Sequence, residues 1–351
     1  MVRKIPFVKR EHESVDEIPG FMGGPPTPLR NTPVTPRENT AALYHEKHPY
    51  WLPLPGDSSF FLPPLYNNNL GRGGFADITD AFGIEWEWIA VTGGSIVRPG
   101  EPLLASANEW KEKIKFPDLD TWDWAGEAKN VKIDTRFSGM ISLVNGFWFE
   151  RLISFMDFAE AAVALIDPDQ QDSIMELFEA STDFACKIVD KLCEYWPALD
   201  GIQFHDDWGS QRDPFFSEEI ARKLFLPHMK TLCDHIHSKG RYTSLHSCGH
   251  VEDRVKIFIE AGVDQWDPQT MNDTHKLYDE FGDKIIISVV PDVFDPAVTS
   301  EEDQRQAARD HVDHFCQPGK PSMLGFYGFP MLTPAFVNEA YEYSRRHYYK
   351  L

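Results

Sequence analysis

From residue 131 to the C-terminus the chain alternates two hydrophobic rhythms. Short strand candidates with apolar positions and polar or glycine ends recur in VKIDTRFSGMISLVNG and at residues 202–204, 241–245, 263–266, 285–290 and 322–326. Their length and boundaries predict buried strands. Between them, apolar positions fall three and four apart, as in DSIMELFEASTDFACKIVDKLCEYW within 168–196 and across 147–165. That spacing predicts helices with one buried face. In SEEIARKLFLPHMKTLCDHIHSKG, Ser217 is placed to cap a helix and Gly240 to end it. EDRVKIFIEAG, KLYDEFG, SEEDQRQAARDHVDHFC and LTPAFVNEAYEYSRRHYY complete the helical set. Repeated strand–helix units predict a parallel α/β architecture, and their regularity favours a (β/α)8 TIM barrel over an open sheet.

The first 130 residues break this rhythm. Residues 1–40 are rich in Pro and Gly and predict an N-terminal arm without regular helix or central strand. Such an arm wraps the body, joins a second subunit or stays partly ordered, and it is compatible with a homodimer. Residues 41–130 are irregular and aromatic, with a short strand at FGIEWEWIAV, and predict an insertion over one mouth of the barrel. The expected organisation is therefore a Pro-rich arm over 1–40 and a single (β/α)8 catalytic domain over 41–351. Composition adds exclusions. A net charge of −21 opposes binding to nucleic acid or an anionic membrane surface. No apolar run is long enough to span a bilayer, and the start lacks the apolar core of an export signal. Five widely spaced cysteines, an odd number, predict reduced thiols and a cytoplasmic location. There is no Gly-rich phosphate loop.

In a (β/α)8 barrel the chemistry lies at the C-terminal ends of the strands, and here those ends are polar. Residues 202–204 lead into His205, Asp206, Asp207 and Trp208, and residues 241–245 lead into His246, Ser247, Cys248 and His250. The next three strands lead to Asp267, Gln269 and Asn272, to Asp292, and to Tyr327. Residues two apart on a strand share a face. His246 and Cys248 therefore aim at one point, a good donor pair for zinc. The same alternation pairs His205 with Asp207 and sends Asp206 the other way. Glu85 and Trp86 in FGIEWEW are candidates for contact with substrate or metal, although Glu85 and Glu87 equally fit an exposed edge strand. His228, His235 and His237 fall on one helix and are expected on its outer face. Cys186, Cys193 and Cys233 are expected to pack inside helices.

These residues carry a resemblance. HDDWGSQRDPFFSEEIARKLFLPHMK, LHSCGHV, FIEAGVDQWDPQ and FGIEWEW resemble segments of the uroporphyrinogen decarboxylase superfamily, and LHSCGHV is similar to the His-x-Cys-Gly segment of its corrinoid-dependent methyltransferases. The Arg-Gln-Ala-Gly-Arg segment of the porphyrin branch is missing. The resemblance implies zinc at His246 and Cys248, completed by a carboxylate such as Asp267, Glu85 or Asp207. It also implies a corrinoid (cobalamin) carried by a partner protein, since no corrinoid-binding segment occurs here. The thiol-methylating members hold zinc with a further Cys before a Thr-Pro helix start. Here Thr333-Pro334 is present, but Tyr327 stands near the matching position and Cys316 lies too far upstream. One thiolate fewer leaves a stronger Lewis acid, which suits O-demethylation of a methoxylated, aromatic small substrate. His205, Asp207 and Tyr327 are then the catalytic candidates, and Glu85, Trp86, Trp208 and Asn272 the substrate-binding ones. Competing readings are a methylcobamide:thiol methyltransferase, a decarboxylase-like lyase and a non-catalytic barrel.

Overall fold

The expected strand–helix alternation is present from Ser138 onward. The computed structural model describes residues 3–18, 27–71, 76–91, 94–100, 102–143 and 145–351. These fall into two compact units. The first comprises Met1–Ser59, Asp134–Gly139 and Asp273–Leu351, and the second Phe60–Ile133 and Met140–Asn272.

In the second unit, Met140–Leu143 of strand Ser138–Leu143 and strands Gly201–His205, Tyr242–His246 and Gln265–Asp267 pair in parallel, each beside the next in sequence. Helices intervene between them. The longest, Pro168–Tyr195, is capped by Asp167 and starts on Pro168, whose missing N–H costs nothing at that position. Ile174, Leu177, Phe178, Phe184, Ala185, Ile188, Val189 and Leu192 make its buried stripe. Ser217 caps the next helical stretch as expected, and Gly240 follows its end at φ +69°. That stretch contains a π-helical turn at Ala221–Phe225 immediately before Leu226–Ser238. Pro227, which lacks an N–H to donate, supplies the local cause. Before these parallel strands, Ile78–Thr79, Glu85–Ile89 and Gly94–Val97 form an antiparallel sheet, so FGIEWEW is a strand.

The polar side chains between the parallel strands were not foreseen. Pairing places Ser142 beside Gln203, Gln203 beside Ser244, and Ser244 beside Gln265. Ser142 Oγ donates to Gln203 Oε1 at 2.9 Å, Gln203 Nε2 to Ser244 Oγ at 3.4 Å, and Ser244 Oγ to Gln265 Oε1. The row runs across four strands, two residues before His205, His246 and Asp267. Hydrogen bonding makes its burial tolerable.

In the first unit, Ile286–Val289 and Ser322–Leu324 pair in parallel. Helices Thr274–Phe281, Glu301–Phe315 and Pro334–Lys350 accompany them. Leu52, Ala308, Val312, Cys316, Leu324, Phe336, Ala340 and Tyr348 form an apolar core. From Ser138 onward the described strands thus pair in parallel and alternate with helices, as in a barrel-like α/β fold. An eight-strand ring is not among the described pairings.

The Pro-rich arm departs from expectation. Ser14–Ile18 and Thr27–Arg30 form an antiparallel hairpin, and a helix runs over Pro36–Glu46. Thr35 and Glu38 make a capping box around Pro36, a local signal that outweighs the general Pro content. The run PGFMGGPP, along with Thr92, Gly93 and Glu101 of the turn after FGIEWEWIAV, lies outside the described residues. Arg345 Nε donates to Glu11 Oε2 at 2.9 Å, Tyr341 Oη donates to the same oxygen at 2.7 Å, and Arg345 Nη2 reaches the Ile5 carbonyl at 3.1 Å. Glu11 and Arg345 are both buried. No helix among the described residues is long and apolar enough to cross a membrane.

His228 is buried rather than on the outer face, because its ring turns against Phe178. His235 and His237 do face outward, paired with Asp190 and Asp264. Cys233 is buried, whereas Cys186 and Cys193 are only partly so.

Two predictions follow from burial. Arg345→Leu leaves the Glu11 carboxylate buried without its cation and should cost about 3–5 kcal/mol, read as a lower urea midpoint. Burial pushes His228 from its ordinary 6.5 down to about 4. The unfolded chain therefore takes up a proton near 6.5 that the native state refuses until about 4. This contribution is intact above 6.5 and is lost as the pH falls toward 4. His228→Leu should lose less unfolding free energy between pH 7 and pH 5 than the parent, measured by urea titration.

Candidate metal centre

Parallel register makes three strand ends level: His205 sits beside His246, and His246 beside Asp267. The two imidazoles stack with centroids 4.8 Å apart and planes 26° apart. After each strand the chain brings the next residue but one back to the same point. One ligand atom from each of His205, Asp207, His246 and Cys248 falls in a group whose members all lie within 4.8 Å of one another. His246 Nε2 is 3.3 Å from Cys248 Sγ, and His205 Nε2 is 3.7 Å from Asp207 Oδ1. Bonds of about 2.0–2.3 Å around a tetrahedral zinc put neighbouring donors roughly 3.3–3.7 Å apart. Two of the separations match that spacing, and the four residues could hold a single divalent ion.

The rings are also braced for that role. His246 Nδ1 is 2.9 Å from the Asp267 carbonyl, and His205 Nδ1 is 2.8 Å from Glu150 Oε2. A carbonyl and a carboxylate only accept. Nδ1 is therefore the donor in both rings, and in the neutral imidazole Nε2 keeps its lone pair for the group. Burial holds the His246 pKa below its ordinary value, and the neighbouring His205 charge acts in the same direction. The neutral, ligating form is favoured.

The loop that carries Cys248 is held by backbone as well as side chains. Asp207 Oδ1 accepts the Cys248 N–H at 2.7 Å. Gln269 Oε1 accepts the Gly249 N–H at 2.8 Å, and its Nε2 lies 3.5 Å from Cys248 Sγ. Gly249 has φ +96°, and a Cβ there would strike the Gly209 backbone. Only glycine meets both conditions.

Asp206 points away from the group, as alternation requires. Its carboxylate accepts from the backbone N–H of Phe149 at 3.2 Å and of Glu150 at 3.0 Å, and from Trp208 Nε1 at 2.8 Å. It thus caps helix Phe149–Met156, whose own N-cap residue, Trp148, has no oxygen in its side chain. Burial pushes the Asp206 carboxyl up to about 7 against the lowering effect of Trp208 and Phe149.

The structure therefore brings together His205, Asp207, His246 and Cys248. The Asp267 carboxylate lies 3.9 Å from His246 Nδ1, the nitrogen behind the group, and Asp267 braces that ring through its carbonyl. Trp208 is wholly buried against Phe216, Phe225 and Phe258. Asn272 is buried and engaged with the Val251 N–H and the Gly249 carbonyl. Trp86 donates to Asp80, which pairs with the buried Arg151 at 2.7 Å. Glu85 is exposed and paired with Arg98. Tyr327 belongs to the first unit, half-buried in a 3-10 turn over Phe326–Met331. Asp292 is exposed beside His275. Sequence reasoning missed Glu150, because an acid in the first turn of an amphipathic helix is unremarkable. The only available signal was its place just after a strand and loop, in FWFE.

No protein family model matches the chain, and no curated protein matches it. Among solved structures, a methyltransferase from Methanosarcina mazei is similar over 90% of this chain and 99% of its own, with a TM-score of 0.59 and 14% identity. At that identity the likeness is one of fold. A xylose isomerase-like TIM barrel protein from Mycobacterium smegmatis overlaps 64% of this chain and 76% of its own, with 13% identity and a TM-score of 0.32, too low to bear on the fold.

Full chain loaded with Co²⁺ should show one ion per chain and a thiolate-to-metal absorption band. Cys248→Ser should abolish the band, and His246→Ala should weaken binding by at least about 100-fold, as expected when a direct ligand rather than an outer partner is lost. An unchanged Co²⁺ spectrum in Cys248→Ser would refute the ligand assignment.

Proposed function

We propose that this chain is a zinc-dependent methyltransferase. It moves the methyl group of a methoxylated aromatic compound to the Co(I) corrinoid of a partner protein. The observation that carries the reading is the donor group itself, two imidazoles, one carboxylate and one thiolate at adjacent strand ends. A fold shared with a methyltransferase supports it.

When bound, zinc supplies Lewis acidity that stabilises negative charge on the departing ether oxygen. The chain sets how much. Cys248 and Asp207 are the two anionic donors and just balance a divalent ion, while His205 and His246 donate as neutral rings. A second thiolate would reduce the acidity further. The methyl carbon–oxygen bond would break with the bonding pair leaving on the oxygen, and the methyl group would pass to the reduced corrinoid that the partner supplies. Aryl ethers are the favoured substrates because a phenol ionises near pH 10, about the tyrosine value, whereas water ionises at about 15.7. The corrinoid chemistry belongs to that cofactor. This chain holds the ligands in place and orients the leaving oxygen.

Zinc-loaded protein with cob(I)alamin and a panel of methoxylated benzoates should consume Co(I) absorbance and release one phenol per methyl transferred. Cys248→Ala should lower the rate at least about 100-fold, the scale of losing one group that stabilises developing charge. Zinc-loaded wild type that leaves cob(I)alamin unchanged across the panel would sink the reading. Release of CO₂ from a carboxylic acid without cobalt dependence would favour a lyase instead.

A further inference from the structure

The geometry points to Glu150 as a positioning residue that fixes His205 as the stronger of the two imidazole ligands. This rests on the metal-centre reading above.

The inference comes from a closed ring of short, buried contacts. The Asp206 carboxylate, next in chain to His205, accepts the Glu150 backbone N–H at 3.0 Å. The Glu150 carboxylate reaches back to His205 Nδ1 at 2.8 Å. Glu150 is 5% exposed and Asp206 is 0% exposed, so neither link is loosened by solvent. Gly146 lets the two segments approach, since a Cβ there would meet the Asp206 carboxylate and lie 2.8 Å from the His205 carbonyl. Strand end and helix start therefore hold each other, and the helix returns a carboxylate to the strand's last side chain.

The two imidazoles are braced unequally. His246 Nδ1 hydrogen-bonds a neutral carbonyl, with the Asp267 carboxylate farther off at 3.9 Å, whereas His205 Nδ1 hydrogen-bonds a carboxylate directly. A charged acceptor pulls the Nδ1 proton harder and leaves more electron density at Nε2. His205 should then be the firmer ligand, although the sequence singles out His246-x-Cys248. Glu150 is not one of the four donors; it acts through His205.

The test is Zn²⁺ affinity of the full chain, by competition with a chelator, for wild type, Glu150→Gln and Glu150→Ala. Losing a carboxylate behind a metal-ligating histidine weakens binding by roughly 10–100-fold. We expect about 10-fold for Glu150→Gln, whose amide oxygen still accepts, and about 100-fold for Glu150→Ala. Urea unfolding of the metal-free proteins separates affinity from folding, and Glu150→Gln carries the test if Glu150→Ala folds poorly. In a His205→Ala background, Glu150→Gln should change affinity less than twofold. Wild-type affinity retained in Glu150→Gln, or an undiminished effect without His205, overturns the role of Glu150 and leaves the metal centre standing. A wild type that binds no Zn²⁺ overturns both.

Discussion

The register of four parallel strands is the constraint on which the centre depends. Side chains alternate faces along a strand, so a slip of one residue would turn every member to the wrong side. Here a row of Ser142, Gln203, Ser244 and Gln265 crosses the strands and is hydrogen-bonded from one to the next. In a slipped register these polar groups would lose their partners, and buried polar groups without partners are costly. Two residues further on, the same register sets His205, His246 and Asp267 level. The row that resists slippage is thus the layer directly before the ligands.

The tripeptide His205-Asp206-Asp207 divides its labour by the same alternation. Its outer members turn toward the donor group, and the middle one turns back to the helix Phe149–Met156. Asp206 is wholly buried, and burial pushes its carboxyl up to about 7. Three N–H donors offset part of that cost. Burying an acid in this way makes sense where it fixes geometry that no exposed residue could fix.

Much of this was legible in the sequence, and the limits are physical. Strand ends could be located because apolar runs stop abruptly at His205, His246 and Asp267. Alternation then paired His205 with Asp207 and His246 with Cys248, and turned Asp206 away. Tertiary partners do not follow from alternation. Aromatic mouth segments suggest Trp86 and Trp208 as substrate contacts, but no sequence pattern announces that each indole N–H meets a buried aspartate. Glu150 sits 55 residues before His205, and no local pattern links the two. His228 was placed outside by its polarity, while the helix turn put it against Phe178. In the arm an average Pro content conceals a specific helix start made by Thr35, Pro36 and Glu38.

The four donors also differ in how they are anchored. His205 and His246 end strands within the parallel pairing, whereas Asp207 and Cys248 lie two residues beyond it, in loops. Loop donors are accurate only if the loop is tied down. Asp207 and Cys248 tie each other, through the Asp207 carboxylate and the Cys248 N–H. Gln269 and Asn272 add side-chain bonds to residues 249 and 251 from the next strand's loop. Asp207 is therefore both a donor and the brace of the only thiolate in the group. A change at Asp207 must alter the ligand charge and the thiolate position together, so its two roles cannot be separated by replacing it. Replacing Cys248 instead removes the sulfur while keeping the backbone N–H that Asp207 accepts.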